Sequence, residues 1–285
     1  MEQIRDFAPH VTTPSAHDMG AARTMHQIDA SRWTGVPSSA FWCEWNHPQE
    51  GSRTLSEMVT QLEGQNWARL IVPGSVCIDI GAHSGDTAIP MGLFSFDKIR
   101  GRQGAVYAVE PNPHLKDIIG INLALNGGIA RFSHAPYAIT ASDIDSVELA
   151  DHGNSNCNGG ILDGGFSDAL DQQLRDAAVF KYNARGVSLG TLLREMPEDD
   201  ARNVRFIKTD CEGYDKEILR NSKEAIQQIK PAMYVEWFAW FNSDDSDDLF
   251  SAIGEIGYEA FNPFNMNPID RSIDRTHDLI CLPKK

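Results

Sequence analysis

The stretch that decides the fold is Val76 to Thr87, VCIDIGAHSGDT. It opens with a short apolar run that contains a single carboxylate, Asp79, and it continues into a turn with glycines at 81 and 85. Glycines let a backbone turn sharply, and they let a ligand or another chain segment come close to it. The stretch therefore predicts a buried strand that delivers Asp79 to a backbone-lined binding loop.

Strand-like and helix-like segments alternate from about residue 75 to 257, which favours a mostly parallel sheet covered by helices on both faces. Strands are predicted over residues 76–80, 105–109, 131–139, 204–209 and 232–235, and helices over 87–96, 113–126, 189–196, 213–221, 222–230 and 248–256. Two final strands, 258–261 and 278–282, follow one another without a helix between them. Such a pair predicts an antiparallel hairpin at the edge of the sheet.

Two segments fall outside this alternation. Residues 1–70 contain scattered prolines and tryptophans, and only a helix over 54–70 shows apolar residues at helical spacing. We interpret residues 1–70 as an N-terminal cap over a main domain of residues 71–285. Within that domain, residues 141–187 form an irregular excursion. Its segment 151–165, rich in glycine and asparagine, is predicted to be an ordered loop or short hairpin, either functional or a variable surface segment.

Composition excludes several classes of protein. The chain has 285 residues, 41% of them hydrophobic, and a formal charge of −15. Strong acidity disfavours nucleic acid and anionic membranes as partners. Five cysteines without CxxC spacing, no secretory signal and no apolar run of membrane-spanning length predict a protein of the reducing cytoplasm.

Carboxylates stand at the ends of four of the five predicted core strands: Asp79, Glu110, Asp210 and Glu236. Ligands of open α/β sheets bind at this edge, and an acid after the second strand accepts hydrogen bonds from ribose hydroxyls. The loop lacks the GxGxxG fingerprint and the Lys-Ser/Thr of a phosphate loop, and its own acids disfavour a diphosphate. A nucleoside that carries positive charge fits better, and S-adenosylmethionine is such a molecule.

Four motifs in order, VCIDIGAHSGDT, VYAVEPNP, VSLGTLL and VRFIKTDCEGYDKEIL, resemble the FkbM family of S-adenosylmethionine-dependent methyltransferases. Asp215 replaces the family's usual glutamate, His83 a frequent asparagine, and Asp86 a more common apolar residue. The resemblance implies a Rossmann-like class I methyltransferase fold, α/β, with a seven-stranded mostly parallel sheet and an antiparallel edge hairpin.

The resemblance and the strand-end argument together predict a cofactor site. Its members lie in the loop after the first strand, after the second and third strands, and at the end of the fourth: Asp79, Gly81, Ala82, His83, Gly85, Thr87, Glu110, Asn112, Ala138 and Asp210. Asn112 either contacts adenosine or caps the following helix, with Pro113 in its first position. Ala138 either lines the adenine or simply ends a strand.

Asp210 is the first candidate for a catalytic base, because methyl transfer to a hydroxyl requires an aligned oxygen and removal of its proton. Glu212 is the second, unless it orients the loop by accepting backbone N–H groups. His83 is either a third base or a structural residue of the turn. Lys208 either pairs with one of these carboxylates or lies at the edge of the strand.

Glu236, Trp237 and Trp240 are candidates for substrate binding, together with the cap tryptophans Trp42 and Trp45. The alternative is that these rings bury the cap against the sheet. No metal is predicted: Asp210 and Glu236 offer oxygens of the kind that Mg²⁺ accepts, but two carboxylates are a sparse set and the resemblance does not require a metal.

The predicted function is O-methyl transfer from S-adenosylmethionine to a hydroxyl of a saccharide or small natural product. An NAD-dependent dehydrogenase and a non-catalytic binding or assembly module are the alternatives. A homo-oligomer is left open.

Overall fold

The computed structural model describes residues 24–44, 54–152, 159–162, 166–274 and 276–284. The first half of its elements are β1 (Thr24–Asp29), α1 (Ser31–Thr34), β2 (Ser39–Glu44), α2 (Leu55–Gly64), α3 (Trp67–Leu70), β3 (Val76–Ile80), α4 (Ala88–Phe94), β4 (Ala105–Val109), α5 (Lys116–Leu125), β5 (Arg131–Ala135), β6 (Ala138–Ile139), β7 (Ile144–His152) and β8 (Gly159–Ile161). The second half are α6 (Asp168–Ala177), β9 (Ala178–Val187), α7 (Leu189–Glu195), α8 (Glu198–Arg202), β10 (Val204–Thr209), α9 (Asp215–Asn221), α10 (Lys223–Ile229), β11 (Ala232–Glu236), α11 (Ser243–Glu255), β12 (Tyr258–Phe261) and β13 (Asp278–Pro283). None of the described helices is long and apolar enough to cross a membrane.

The main sheet has seven strands in the order β12-β13-β11-β10-β3-β4-β5. The pairs from β11 to β5 are parallel, and β13 runs antiparallel to both β11 and β12. This confirms the predicted α/β fold with its antiparallel edge hairpin. Strand order reverses between β3 and β10, and a ligand crevice is expected at such a switch point.

A second sheet, of four strands in the order β6-β9-β7-β8, occupies most of the predicted excursion. The prediction that residues 141–187 are irregular is therefore wrong for the part of that segment that the structure describes. The predicted strand 131–139 is also two strands, because Pro136 separates β5 in the main sheet from β6 in the small one. Proline cannot donate a ladder hydrogen bond, so it ends the pairing with β4.

The N-terminal elements pack on the main sheet through one continuous apolar core. Thr54 caps α2 in a capping box with Glu57. The apolar residues at helical spacing in this helix are buried: Leu55, Met58, Val59 and Leu62. The predicted helix over 54–70 divides into α2 and α3, since Asn66 adopts a left-handed conformation with φ of 65°. Trp42 and Trp67 share this core with Cys77 of β3 and Val106 of β4.

Helix α5 begins at Lys116, so the prediction that Asn112 caps it is wrong. The Asn112 side chain instead accepts a hydrogen bond from the backbone N–H of His114 at 3.0 Å, which closes a local turn before the helix. This turn keeps residues 110–115 out of the helix and at the edge of the sheet.

Candidate cofactor and acceptor site

The four strand-end carboxylates meet at one edge of the main sheet. Asp79, Glu110, Asp210 and Glu236 stand at or directly after the carboxyl ends of β3, β4, β10 and β11, which are consecutive neighbours in the sheet. The order of these strands therefore brings together residues that the chain separates widely, as the sequence predicted.

The loop after β3 follows the end of β4 closely. The N–H groups of Gly81 and Ala82 both donate to the carbonyl of Val109, at 3.0 and 3.1 Å. Gly81 has a φ of 75°, and a Cβ added there would lie 1.9 Å from the carbonyl oxygen of Asp210. Only glycine fits at this crossing, because any side chain would overlap the backbone that follows β10.

Glu110 is 7% exposed and holds the loop from the β4 side. One carboxylate oxygen accepts from the backbone N–H of His83 and the other from that of Asn112, both at 2.8 Å. Burial raises the pKa of Glu110 to about 7, although the two backbone hydrogen bonds and the nearby His83 lower it. Each oxygen keeps a second acceptor position, which suits two adjacent hydroxyl groups.

Asp79 is fully buried and paired with a buried lysine. One of its oxygens accepts from the Thr87 hydroxyl at 2.7 Å, and the other lies 3.3 Å from Nζ of Lys208. Burial raises the pKa of Asp79, while the charge of Lys208 and the Thr87 hydrogen bond oppose that rise.

Lys208 connects β10 to the loop after β3. Its Nζ donates to the Gly81 carbonyl at 2.6 Å and lies 3.3 Å from carboxylate oxygens of both Asp79 and Asp210. Burial opposes its charge, but Asp210 and Asp79 raise the pKa of Lys208 well above the usual lysine value. Lys208 therefore pairs with Asp210, which was one of the predicted alternatives. It also pairs with Asp79, which the sequence did not suggest.

The predicted adenine side is formed by Asn112 and by the small sheet. Asn112 is 1% exposed, and its Nδ2 makes no hydrogen bond to the residues that the structure describes. An unpaired buried donor beside Glu110 is the kind of group that a bound base satisfies. Ala138 is buried in β6 and packs with Leu149, Ile161 and Tyr182 of the small sheet.

His83 adopts a left-handed conformation with φ of 49°, and its Nδ1 lies 2.9 Å from the Ser84 hydroxyl. Its backbone N–H donates to Glu110. These contacts are those of the structural alternative, in which His83 holds the turn.

The predicted acceptor side contains three carboxylates. Asp210, Glu212 and Glu236 each offer an oxygen within 4.8 Å of the other two. Burial, and next the charge of Asp210, raise the pKa of both Glu212 and Glu236. Glu212 was alternatively predicted to orient the loop after β10 by accepting backbone N–H groups. Two of these groups donate to other carboxylates instead: the N–H of Cys211 to Asp215 and that of Gly213 to Glu236, both at 3.2 Å.

The small sheet covers this edge from both sides. A Cβ added to Gly160 of β8 would lie 3.3 Å from the carbonyl of Cys211 and 3.4 Å from Cβ of Glu212. On the adenine side, the rings of His114 and Phe180 of β9 meet edge to face at 4.5 Å. Asp151 at the β7–β8 pairing is 1% exposed and adds charge close to Glu212.

The sequence did not predict Asp151 or the small-sheet contacts, because they depend on the pairing of β7 with β8 and β9, and no sequence motif indicates that pairing.

The predicted tryptophans lie in different surroundings. Trp237 donates from Nε1 to the Ser246 hydroxyl at 3.1 Å and packs edge to face on Phe250, so it fastens α11 to the sheet. Trp240 is 37% exposed and packs on Phe238. Trp42 is buried in the core, and Trp45 lies outside the described residues.

Three phenylalanines that the sequence did not single out surround Gly213. Phe166, Phe238 and Phe241 each lie within about 3.3 Å of the position of a Cβ on that glycine. The FAWFN run after β11 could have suggested the last two. Phe166 comes from the segment before α6, and no local pattern connects it to the site.

Several solved structures are similar to this chain. A methyltransferase FkbM from Methylobacillus flagellatus KT is 14% identical with a TM-score of 0.43, over 81% of this chain and 55% of that protein. Aeropyrum pernix fibrillarin, in complex with natively bound S-adenosyl-L-methionine, is 11% identical with a TM-score of 0.41, over 86% and 90% of the two chains. A SAM-dependent O-methyltransferase from Thermotoga maritima is 12% identical with a TM-score of 0.41, over 96% and 98%.

No curated protein matches the sequence. The family model of the methyltransferase FkbM domain matches residues 79–260, which is more than half of the chain. That range begins at Asp79, includes Glu110, Asp210 and Glu236, and ends in β12. The chain therefore belongs to the FkbM methyltransferase domain family.

Proposed function

We propose that this protein binds S-adenosylmethionine and transfers its methyl group to a hydroxyl of a saccharide or small natural product. The observation that carries the proposal is the position of Glu110. It lies beside the glycine loop at the switch point of the sheet, with two oxygens that can each accept one more hydrogen bond.

On the cofactor side, Glu110 accepts hydrogen bonds from the two ribose hydroxyls, and Nδ2 of Asn112 donates to an acceptor of the adenine. Gly81, Ala82 and Gly85 present backbone to the methionine portion. The cofactor supplies a methyl group on a positively charged sulfur, which is a good leaving group. Asp79 and Lys208 stabilise the strand end that carries this loop.

On the acceptor side, Asp210 and Glu212 orient the hydroxyl, and one of the two carboxylates accepts its proton as the oxygen attacks the methyl carbon. Lys208 lies 3.3 Å from Asp210 and forms an ion pair with that carboxylate. Burial raises the pKa of Glu212 to about 8, so its ionised form is a stronger base than an ordinary carboxylate. The exposed ring of Trp240 offers an apolar wall for a sugar or a ring system.

Titration calorimetry with S-adenosylmethionine and with NAD tests the cofactor assignment. We expect binding of the first only, and a loss of affinity of at least about tenfold in Glu110→Ala, since two hydrogen bonds to a charged group are removed. Binding of NAD alone, or an unchanged affinity in the variant, would contradict the proposal.

A mass-spectrometric search for acceptors that gain one methyl group tests the reaction. Once an acceptor is found, Asp210→Asn and Glu212→Gln are compared at equal cofactor saturation, and we expect the variant that removes the base to lose about 10²- to 10⁴-fold in kcat. Cofactor binding without transfer to any hydroxyl compound would favour the non-catalytic module.

The proposed reaction requires no metal, and a magnesium ion at the acceptor side is the alternative to be tested. Asp210, Glu212 and Glu236 together offer three carboxylates, one more than the pair that the sequence suggested. After treatment with EDTA, added Mg²⁺ is expected to raise the melting temperature of the wild type but not that of Glu236→Gln. No rise in the wild type would contradict this alternative.

A further inference from the structure

Two buried asparagines, Asn122 of α5 and Asn126 directly after its last residue, hold the N-terminal hairpin of β1 and β2. The Oδ1 atom of Asn122 accepts from the N–H of Cys43 at 2.7 Å, and its Nδ2 donates to the Cys43 carbonyl at 3.2 Å. Asn126 repeats the arrangement with Phe41, at 2.9 and 2.7 Å. Both asparagines are at most 1% exposed. The two amides thus pair with the outer edge of β2 as a further strand would.

The spacing of the two asparagines explains the fit. Four residues along a helix rise about 6 Å, and two residues along a strand span about 6.6 to 6.8 Å. Amides at positions 122 and 126 therefore match the backbone groups of residues 41 and 43. A side-chain amide offers one acceptor and two donors, so each has a donor left over for a third partner.

The third partner differs between the two asparagines. Nδ2 of Asn126 donates to the carbonyl of Asn122 on the same helix, at 2.7 Å. Nδ2 of Asn122 donates to the carbonyl of Ser84 at 3.0 Å. Ser84 lies in the loop after β3 between Ala82 and Gly85, so Asn122 connects the hairpin directly to that loop.

The Ser84–Gly85 peptide is thereby held on both sides. Asn122 fixes its carbonyl, and the Gly85 N–H donates to the carbonyl of Ala82 at 2.7 Å. Glu110 holds the Ala82–His83 peptide of the same loop through the N–H of His83. Two buried side chains, Glu110 and Asn122, therefore define the loop from opposite sides.

We propose that Asn122 is a positioning residue for the cofactor: it fixes the loop of residues 81–86 in the shape that S-adenosylmethionine binds, and it makes that shape depend on the docked hairpin. The inference rests on the proposed function. It makes the N-terminal hairpin a part of the cofactor site, although no residue of the hairpin was predicted to touch the cofactor.

The experiment compares Asn122→Ala with Asn126→Ala in the full chain, with S-adenosylhomocysteine as the calorimetric probe. Each substitution removes three hydrogen bonds, two of them to the hairpin, so each is the control for the stability loss of the other. We expect affinity to fall about five- to tenfold in Asn122→Ala and to stay within about twofold in Asn126→Ala.

Hydrogen exchange supplies a readout that a merely structural role would not change. Peptides covering residues 81–90 are expected to exchange faster in Asn122→Ala than in Asn126→Ala, while hairpin peptides change equally in both. Equal affinity losses in the two variants, or no loss in either, would overturn the inference.

Should Asn122→Ala fail to fold, Asn122→Ser replaces it. The serine side chain is shorter than that of asparagine, so its hydroxyl cannot reach the Ser84 carbonyl and Cys43 together. The same loss of affinity is then expected. If the wild type does not bind the probe, the proposed function itself is contradicted. If the wild type binds the probe and Asn122→Ser binds it equally tightly, this inference alone is contradicted.

Discussion

Glu110 titrates near neutrality, with a pKa of about 7 that burial sets, and this makes cofactor affinity depend on pH. The ionised carboxylate accepts two hydroxyl hydrogen bonds, whereas the protonated form loses one acceptor position. We expect the association constant to rise about tenfold between pH 6 and 8 as the proton leaves. Calorimetry with adenosine measures this effect, since adenosine carries no group that titrates between about pH 6 and 8.

Glu110→Gln is the matched control for that titration. It keeps the size of the side chain but has no proton to lose, so its weaker affinity should be constant over the same range. A wild-type affinity that does not change with pH would show that Glu110 is already ionised at pH 6, contrary to its burial.

Gly81 lies where two loops cross, and substitution there should be costly. In Gly81→Ala the new methyl group would lie 1.9 Å from the Asp210 carbonyl, at a φ of 75°. We expect urea unfolding to show a loss of about 2 to 4 kcal/mol. Gly120→Ala, on the exposed face of α5 with open space around it, should instead gain about 0.5 to 1 kcal/mol. A neutral Gly81→Ala would mean that the two loops separate easily.

At the scale of residues, the sequence located the strand-end acids because each follows an apolar run directly. It did not identify Asp79 as a partner of Lys208, because the two residues are 129 positions apart and become neighbours only when β3 and β10 pair. It also missed Asn122 and Asn126, whose spacing of four looks like an ordinary polar interruption of a helix face.

Helices α6, α9 and α11 meet at a buried charge cluster. Asp245 accepts from the N–H and hydroxyl of Ser167, at 3.0 and 2.7 Å, and lies 3.5 Å from the buried Nζ of Lys216. In Asp245→Ala, Lys216 loses one carboxylate partner and keeps Asp248, so we expect a loss of about 3 kcal/mol in urea unfolding and faster hydrogen exchange over residues 166–177.

Asp244→Ala provides the comparison for this cluster. It removes a charge from the same first turn of α11, but the residue is exposed, so the free energy of unfolding should change by less than about 0.5 kcal/mol. Equal losses in the two variants would indicate a helix-dipole effect in place of the buried contacts.

At the scale of elements, the alternating core was predictable and the small sheet was not. Strands β3, β4 and β10 are short apolar runs between turn residues, and the boundaries predicted for them match the structure. In β7, by contrast, residues 144–148 are mostly exposed, so the hydrophobic alternation that marks a strand is weak. Its stability comes from pairing with β9, whose partner residues lie 26 to 42 positions further along the chain.

For the molecule as a whole, buried acids and a charge of −15 set the dependence of stability on pH. Burial raises the pKa of Glu110 to about 7 and that of Asp278 to about 6. A raised pKa in the folded state means that the folded protein binds the proton more tightly than the unfolded chain does. Proton binding therefore adds stability that is complete below the unfolded-state pKa and is lost as the pH rises through the folded-state pKa.

The melting temperature is therefore expected to fall between pH 5 and 8, with Glu110 alone contributing on the order of 3 kcal/mol. Asp248, whose pKa Arg220 lowers to about 2, acts only at more acidic pH. Differential scanning calorimetry across this range, with Glu110→Gln in parallel, measures the effect. A melting temperature that rises toward pH 8 would contradict it.

The contact between Lys208 and the Gly81 carbonyl joins residues 127 positions apart, and this has a consequence for synthesis. A ribosome adds roughly 5 to 20 residues per second, so β3 waits on the order of ten seconds before β10 exists to pair with it. During that interval one edge of β3 is unpaired, and such edges recruit other chains. A nascent chain of this protein should therefore depend on chaperones most strongly until residue 210 has left the ribosome.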